Sequence, residues 1–294
     1  MPRVRRIPWR RLDWVNLSVI SAVHLLALAG VAWMILHFSW WTLGLGLLWG
    51  ACCGLSITGG YHRLFAHPTY RASWGLRLFY LLFGAASVQN SALKWASDHR
   101  RHHASTDEAA DPYNIRKGFW WAHLGWVLVK EDAAGPGIDQ ANVQDLQADP
   151  LIRFQHRFYV LLALGVGSLL PMLIASTWGD ALGGLLVAGF LRLFLQYHAT
   201  FSVNSVAHYI GGQPYSKATS ARDSFLTALI TLGEGYHNFH HRFPTDYRNG
   251  IRFYHFDPTK WWVWCCAKLR VVRDVRRTPP QVIAQALASV RDAA

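Results

Sequence analysis

The sequence predicts an all-α integral membrane protein, in which four transmembrane helices form a stem with a cytosolic helical cap that holds a histidine-rich di-metal site. Three observations lead to this fold class. Hydrophobic residues make up 52% of the chain and charged residues only 16%, whereas soluble domains carry about 25% charged residues. Four apolar runs are long enough to cross about 30 Å of hydrocarbon as helices. More than half of the 15 histidines lie in short motifs outside these runs.

The apolar runs define the predicted domain organisation. A basic flank precedes the first run, and very short turns join the runs in two pairs. Two further apolar stretches, 78–93 and 119–129, are too short to span, and for the first we expect an interfacial or re-entrant helix. We predict one domain, 1–294, with spans at 14–36, 41–61, 158–178 and 181–201 and cap segments at 62–157 and 202–294.

The distribution of charge predicts the orientation of the chain. The 29 Lys and Arg exceed the 17 Asp and Glu, and only Arg192 lies inside a predicted span. Because Lys and Arg are retained on the cytoplasmic side, both termini and every histidine motif are expected there, in a bacterial inner membrane or the endoplasmic reticulum. The same rule explains the net charge of +12 without a nucleic-acid partner. For Arg192, a functional role, snorkelling and a carboxylate partner are all open.

Three histidine motifs indicate a metal site. The first pairs His62 with His67, and the other two share the spacing H-x-x-H-H, at 99–103 and 237–241. Residues at i, i+3 and i+4 lie on one helix face, so each H-x-x-H-H motif is expected to direct three imidazoles to one point. Neutral imidazole binds first-row transition metals. Eight such rings exceed the needs of one ion and therefore predict two metals.

Further features extend the predicted ligand set. Asn204 and His208 lie four residues apart and add a ninth imidazole and a weak or water-mediated ligand. His62 and His67 are about 140° apart on an ideal helix, so we expect the helix to unwind there, before Pro68. Iron is favoured because many imidazoles suit redox-active ions, although the spacing does not exclude zinc. The predicted ligands are His62, His67, His99, His102, His103, Asn204, His208, His237, His240 and His241.

Acidic residues flank these motifs. A carboxylate that accepts a hydrogen bond from one ring nitrogen selects the imidazole tautomer whose other nitrogen binds metal. A solvated surface position is the alternative for each acid. The candidates are Asp98, Asp107, Glu108, Asp111, Glu234 and Asp246.

The motifs closely resemble those of the membrane-bound fatty acyl desaturase family, in particular its stearoyl-CoA (Δ9) branch. The matching stretches are 62–67, 98–103, 204–208 and 233–244, and the likeness covers roughly residues 40–265. The resemblance implies two iron ions held by the histidines named above, with Asn204 ligating through water. It also implies that dioxygen is the co-substrate and that a saturated long-chain acyl group receives a cis double bond at Δ9.

The resemblance implies partners as well. The acyl substrate, with acyl-CoA favoured, is bound beside membrane lipid. Electrons come from outside, and because the sequence lacks the His-Pro-Gly-Gly heme motif of cytochrome b5, we expect a separate donor protein of the cytochrome b5, ferredoxin or rubredoxin type.

Some substrate positions of the family have counterparts here. Trp95 and Trp126 match tunnel or headgroup tryptophans, with interfacial packing as the alternative. Ser97 replaces a usual arginine, and Phe201 replaces a usual tryptophan. Because phosphate recognition needs cations, nearby basic residues would have to compensate, namely Lys94, Arg116, Lys117 and Lys130. The predicted substrate-binding residues are Trp95, Asp98, Trp126, Lys130 and Phe201.

Several functions stay open at this stage. The missing arginine leaves an acyl lipid or an acyl-carrier protein as alternative substrates. A fatty acyl hydroxylase on the same scaffold is a second alternative, since it begins with the same hydrogen abstraction. A metal or heme carrier is the non-enzyme alternative, but a carrier should distribute its ligands across the bilayer, whereas these histidines are expected at one end of the spans.

Overall fold

The computed structural model describes residues 9–130 and 137–293 of the chain. These residues are mostly helical, as predicted, with one small antiparallel sheet. In chain order the main elements are α1 (Trp14–Leu36), α2 (Trp40–Ala66), β1 (Arg71–Ala72), α3 (Trp74–Ala86), α4 (Ala92–Ala104), α5 (Pro150–Arg157), α6 (Tyr159–Ser176), α7 (Ala181–His208), α8 (Phe225–Ile230), α9 (His237–Arg242), α10 (Pro258–Lys268), β2 (Val272–Arg273) and α11 (Pro280–Asp292). Shorter helical turns are Trp9–Arg11, Ile115–Lys117, Trp121–Gly125, Trp126–Leu128, Gln140–Val143 and Gln144–Gln147.

Four helices, α1, α2, α6 and α7, are long and apolar enough to cross a membrane. The protein is therefore an integral membrane protein with the predicted number of spans. The bounds of α1 are those predicted, whereas α2 and α7 continue to Ala66 and His208, beyond the predicted ends at 61 and 201. Their last turns carry polar side chains that are buried among the cap helices. Hydropathy places the predicted ends of these helices too early, because it detects polar side chains but not whether those side chains are buried.

The apolar stretch at 78–93 forms two elements instead of one. α3 has 13 residues, too few to span, as expected. It ends at a turn in which Val88 and Asn90 adopt positive φ angles of 50° and 73°, and α4 begins two residues later at Ala92. This reversal brings the histidines of α4 beside the end of α2.

Close packing around two tyrosines joins the stem to the cap. The Tyr61 ring on α2 lies against Gly84 of α3 so closely that an added Cβ would overlap it. Gln155 of α5 donates to the Tyr61 hydroxyl at 2.6 Å, and Trp262 of α10 donates to the Tyr80 hydroxyl at 2.9 Å. Four elements are thereby held around the end of α2.

Arg192 has a structural environment inside the stem. Its guanidinium donates to the carbonyl oxygens of Ala86 and Gly167 at 2.9 Å each, and its Nε donates to the Ala188 carbonyl oxygen at 3.0 Å. None of the carboxylates in the described ranges forms an ion pair with it. Arg192 thus links α3, α6 and α7 through backbone acceptors, an arrangement that differs from both snorkelling and a carboxylate pair.

Candidate metal centre

Nine histidines from four parts of the chain meet at one end of the stem. They form two groups, and within each group one ring nitrogen per residue lies within 4.8 Å of all the others. The first histidine group consists of His62, His67, His99, His103 and His240, and the second histidine group consists of His102, His208, His237 and His241. The two groups are adjacent, since the stacked rings of His103 and His241 have centroids 4.3 Å apart.

Each H-x-x-H-H motif contributes to both groups. On α4, His99 and His103 belong to the first group and His102 to the second. The expectation that each motif directs three rings to one point is therefore wrong. Steps of four residues turn a helix by about 400° and steps of three by about 300°, so the i+3 side chain points about 100° away from the i+4 side chain. One helix can therefore supply ligands to two ions.

The same division occurs on α9. His237 and His241, four residues apart, belong to the second group, whereas His240 belongs to the first. This helix has only six residues, yet it directs rings to both groups. Asp223 stabilises its backbone, since the Asp223 carboxylate accepts from the backbone N–H groups of Asn238 and Phe239 at 2.7 and 3.0 Å.

Widened helical turns bring His67 to the side of His62. Over Ser56–Ala66 the helix α2 adopts π-type turns, in which residue i accepts from residue i+5. The His67 N–H donates to the His62 carbonyl oxygen at 3.1 Å, and the two ring centroids are 5.0 Å apart. The spacing predicted a departure from ideal α geometry here, and the structure has one. The helical turns are widened, and the helix is not broken.

The contacts between ring nitrogens fit metal ligation. In the first group, His240 Nε2 lies 3.0 Å from both His62 Nε2 and His103 Nε2, and in the second group His237 Nε2 lies 3.1 Å from His208 Nε2. A neutral ring nitrogen has either one proton or one lone pair, so it cannot make two ordinary hydrogen bonds to other rings. Two nitrogens about 2.1 Å from one ion and at right angles would be about 3.0 Å apart. The donor set therefore fits a metal site.

Acceptors behind the rings select the tautomer for two of the histidines. Glu234 Oε2 lies 2.8 Å from His62 Nδ1, and Asp111 Oδ1 lies 2.8 Å from His102 Nδ1. Since carboxylates only accept, both Nδ1 atoms carry the proton and both Nε2 atoms present a lone pair to the group.

A third ring is oriented through a hydroxyl. Ser220 Oγ donates to Asp107 Oδ1 at 2.5 Å and lies 2.7 Å from His208 Nδ1. The single serine proton goes to the carboxylate, so the hydroxyl oxygen accepts from His208 and leaves its Nε2 free to bind metal.

These contacts sort the flanking acids. Asp107, Asp111 and Glu234 support histidines as the sequence suggested. Asp98 instead pairs with Lys94, Asp246 with Arg248, and Glu108 is exposed. The spacing in the sequence does not distinguish the acids that support a histidine from those that do not, because the tertiary structure determines which carboxylate lies beside each ring.

Electrostatics favour neutral rings beside ionised acceptors. Burial lowers the pKa of His99, His103 and His240 well below the usual value, and the other imidazoles lower it further. Burial by itself would raise the pKa of Glu234, but the interactions with His62 and Arg63 together outweigh this effect and lower the pKa of Glu234 to about 2. The unprotonated imidazole that a metal needs is thereby the stable form.

An apolar cavity opens beside the first histidine group. His62 and His99 form part of its wall, and the Trp95 ring stacks on His99 with centroids 4.9 Å apart. It extends along α2 and α7 into the stem. The lining residues are Gly54, Ile57, Thr58, His62, Trp95, His99, Gln196, Ala199, Thr200, Val203, Asn204, Thr231, Leu232 and Glu234. Asn204 thus lies at the cavity wall, and its role as a metal ligand stays a prediction.

A polar bridge joins two residues of the cavity wall, Trp95 and Thr200. Gln89 Nε2 donates to Thr200 Oγ1 at 2.9 Å, and Gln89 Oε1 accepts from Trp95 Nε1 at 3.4 Å. Sequence reasoning missed Gln89 and Thr200, although a glutamine inside an apolar stretch was a visible signal. The bridge links the α3–α4 turn to α7.

The other predicted substrate residues are not among those that line this cavity. Trp126 packs against Tyr113 with ring centroids 4.6 Å apart, and both Trp126 and Phe201 belong to an apolar cluster between α1 and α7. Asp98 pairs with Lys94, and Lys130 is exposed. Of the five predicted substrate residues, Trp95 is the one that lines the cavity, and the roles of the rest stay predictions.

Comparison with known proteins agrees with this architecture. The model of the fatty acid desaturase family matches residues 38–273. The chain belongs to this family. It is 42% identical to acyl-CoA desaturase 1 of Saccharomyces cerevisiae over 95% of its own length but only 56% of the yeast protein. It is 34% identical to the Delta(9)-fatty-acid desaturase fat-7 of Caenorhabditis elegans, covering 97% of this chain and 86% of that protein, and 37% identical to human stearoyl-CoA desaturase, covering 92% and 76%.

The coverage differs among relatives. The chain spans about half the length of its yeast relatives, 56% and 57%, whereas it spans most of the nematode and human proteins. The residues matched by the family model, 38–273, contain all nine histidines and three of the four membrane helices, α2, α6 and α7.

Proposed function

We propose that the protein is an oxygen-dependent acyl-CoA desaturase that introduces a cis double bond at Δ9 of a saturated long-chain acyl group. The observation that carries this proposal is the position of His62 and His99, which belong to the first histidine group and also form the wall of an apolar cavity. A hydrocarbon chain in that cavity lies directly against the candidate metal ligands. A carrier of metal or heme has no need of such a cavity.

The proposed reaction is an oxidation of two neighbouring methylenes. The acyl chain loses two hydrogens, two electrons and two protons are supplied, and dioxygen is reduced to two waters. Two iron ions held by the nine histidines, with Asn204 acting through water, would supply the reduction of dioxygen and the oxidant for C–H cleavage.

The side chains around the cavity position the substrate. Trp95 lines the cavity with its ring stacked on His99, and its hydrogen bond to Gln89 holds the indole in place. The Gln89 side chain connects Thr200 with Trp95, and both of these residues line the cavity. We infer that this bridge selects which methylenes face the first histidine group, since a chain must bend around a fixed obstacle. Burial of His62, His99 and His240 excludes bulk water from the reacting carbons.

The choice of acyl-CoA follows the relatives, which are named acyl-CoA desaturase and stearoyl-CoA desaturase. Cations for the CoA phosphates would come from Arg116, Lys117 and Lys130, which are exposed. An acyl-carrier protein or a membrane lipid as acyl donor, and a hydroxylated product, are the outcomes that the experiment below distinguishes.

The remaining partners and the location complete the proposal. Two electrons per turnover require a separate donor of the cytochrome b5, ferredoxin or rubredoxin type. Both termini and the metal centre are assigned to the cytoplasmic side of a bacterial inner membrane or of the endoplasmic reticulum, because nearly all Lys and Arg lie outside the spans.

The experiment that tests this proposal is expression in a host that cannot make monounsaturated fatty acids, followed by chromatography and mass spectrometry of the lipids. New cis-Δ9 chains are expected with the wild type and none with His240→Ala. His37→Ala, a histidine outside both groups, is the matched control and should retain the product. Hydroxylated chains would assign the hydroxylase instead. Purified protein supplied with stearoyl-CoA or with stearoyl-carrier protein then identifies the acyl donor.

A further inference from the structure

A basic groove lies on the cap surface, apart from the histidine groups and the cavity. Its walls are Tyr247, Trp264, Ala267, Lys268, Val275 and Arg277. Lys268 Nζ lies 5.5 Å from the centre of the Trp264 ring, and the Arg277 guanidinium carbon lies 5.2 Å from the centre of the Tyr247 ring. The groove therefore presents two cations, each beside an aromatic ring.

The chain that forms this groove is strongly basic. Residues 268–277 contain five Lys or Arg and a single acid, Asp274, which pairs with Arg71 at 3.5 Å. Among the residues that the structure describes, no carboxylate lies within ion-pair distance of Lys268 or Arg277. Their charges are thus available to an external anion.

The small sheet beside the groove adds to the positive field. Arg71 on β1 stands directly opposite Arg273 on β2. Like charges in this position destabilise a ladder. Both residues are exposed, and an anion at this surface would relieve their repulsion.

The depth of α10 is set by its contact with α2. Thr259 Oγ1, in the first turn of α10, lies 2.6 Å from Thr58 Oγ1. Residues 40–58 of α2, most of them in regular α-helix, extend for about 27 Å, close to the about 30 Å of the hydrocarbon core. If exposed Trp40 marks one boundary of the hydrocarbon core, the opposite boundary of the core falls near Thr58. Trp264, half-exposed on α10, lies five residues or about 8 Å along the helix from Thr259, a distance comparable to the thickness of the headgroup layer, where tryptophan is enriched.

We propose that this groove binds the headgroup of an anionic phospholipid. The phosphate lies between Lys268 and Arg277, and the glycerol and first acyl carbons lie against Trp264. Lipid fits better than an acidic protein because the indole and the two cations stand together at the level where glycerol and phosphate occur. The proposal depends on membrane insertion and not on the proposed reaction.

Hydrogen bonds connect the groove to the support of the metal centre. Arg277 donates to the Tyr247 hydroxyl at 3.1 Å, and buried Arg63 donates to the Tyr247 carbonyl oxygen and to Glu234 at 2.9 Å each. Glu234 in turn accepts from His62. A headgroup that holds Arg277 stabilises the Tyr247 segment, so bound lipid is expected to raise the thermal midpoint of the protein.

The test uses the full chain in nanodiscs of phosphatidylcholine, with or without about one fifth phosphatidylglycerol, and native mass spectrometry to count retained lipids. We expect the wild type to retain phosphatidylglycerol and to melt at higher temperature with it. Lys268→Gln/Arg277→Gln should bind it about 25-fold more weakly, at about fivefold for each cation, and lose the thermal shift. Arg252→Gln/Arg291→Gln removes two exposed cations outside the groove and should behave as wild type.

Specific outcomes would overturn the proposal. Equal lipid retention by the two double variants removes the groove as the site. If the groove double variant retains lipid as the wild type does but no longer binds an acidic electron donor, the groove is a protein-binding surface. If inorganic phosphate raises the thermal midpoint of the wild type as much as phosphatidylglycerol does, the groove binds a soluble anion. Lys268→Gln alone changes an exposed side chain, so its expected fivefold loss is measurable even if the double variant misfolds.

Discussion

His102 and His103 are neighbours in the chain, yet their rings belong to different histidine groups. Their side chains leave α4 about 100° apart, and each meets a different member of α9. His102 Nε2 lies 3.3 Å from His241 Nε2, and His103 Nε2 lies 3.0 Å from His240 Nε2. One helical turn therefore supplies ligands to two candidate metal sites.

His102→Ala and His103→Ala are each expected to lower the metal content from two ions to about one and to abolish turnover, because no nearby side chain replaces the lost imidazole. Metal analysis of purified variants, with product analysis alongside, checks this. His37→Ala is the control. A His102→Ala variant with two metal ions and normal turnover would show that the ligand assignment is incorrect.

Glu234→Gln should weaken metal binding by about 10–100-fold, because an amide no longer fixes the His62 tautomer as a carboxylate does. The same change leaves buried Arg63 with Asp257 as its one remaining carboxylate partner among the described residues, so a lower thermal midpoint is expected too. Titration with ferrous iron and a melting curve give the two readouts. Glu108→Gln, an exposed acid near the second motif, should change neither.

Gly54→Ala should shift substrate preference towards shorter acyl chains. Gly54 lines the cavity eight residues before His62, about 12 Å deeper in the stem, and a Cβ there would meet Leu232 Cδ1 at 2.5 Å. Competition between palmitoyl and stearoyl substrates measures the shift. Gly44→Ala on the same helix, where a Cβ meets nothing within 4 Å, is the matched control. An unchanged product ratio would argue that the chain does not extend past Gly54.

His198→Phe should destabilise the protein by about 1–3 kcal/mol without changing its metal content. The His198 ring lies between two others, with Nε2 3.1 Å from His24 Nε2 and Nδ1 3.1 Å from His123 Nε2. The substitution removes both hydrogen bonds, each of which contributes about 0.5–1.5 kcal/mol. Thermal unfolding together with metal analysis tests the prediction, and loss of metal would place this trio within the centre itself.

The sequence by itself determined the class of the protein and the inventory of its site. Hydropathy predicted four spans because crossing hydrocarbon requires about 20 apolar residues in a row. The repeated H-x-x-H-H spacing and the order of the motifs predicted a histidine-rich metal centre, and all nine predicted histidines lie in the two groups. Three of the six flanking acids, Asp107, Asp111 and Glu234, support rings as suggested.

The tertiary structure alone decided how these parts combine. Which ring joins which group depends on contacts between α4, α9 and the ends of α2 and α7, which are distant in the chain. The position of His67 depends on widened turns, whereas helical-wheel reasoning assumes ideal α geometry. The Gln89–Thr200 bridge joins residues 111 positions apart. Spacing encodes local geometry, but a cavity and a pair of sites arise from packing, which local spacing does not specify.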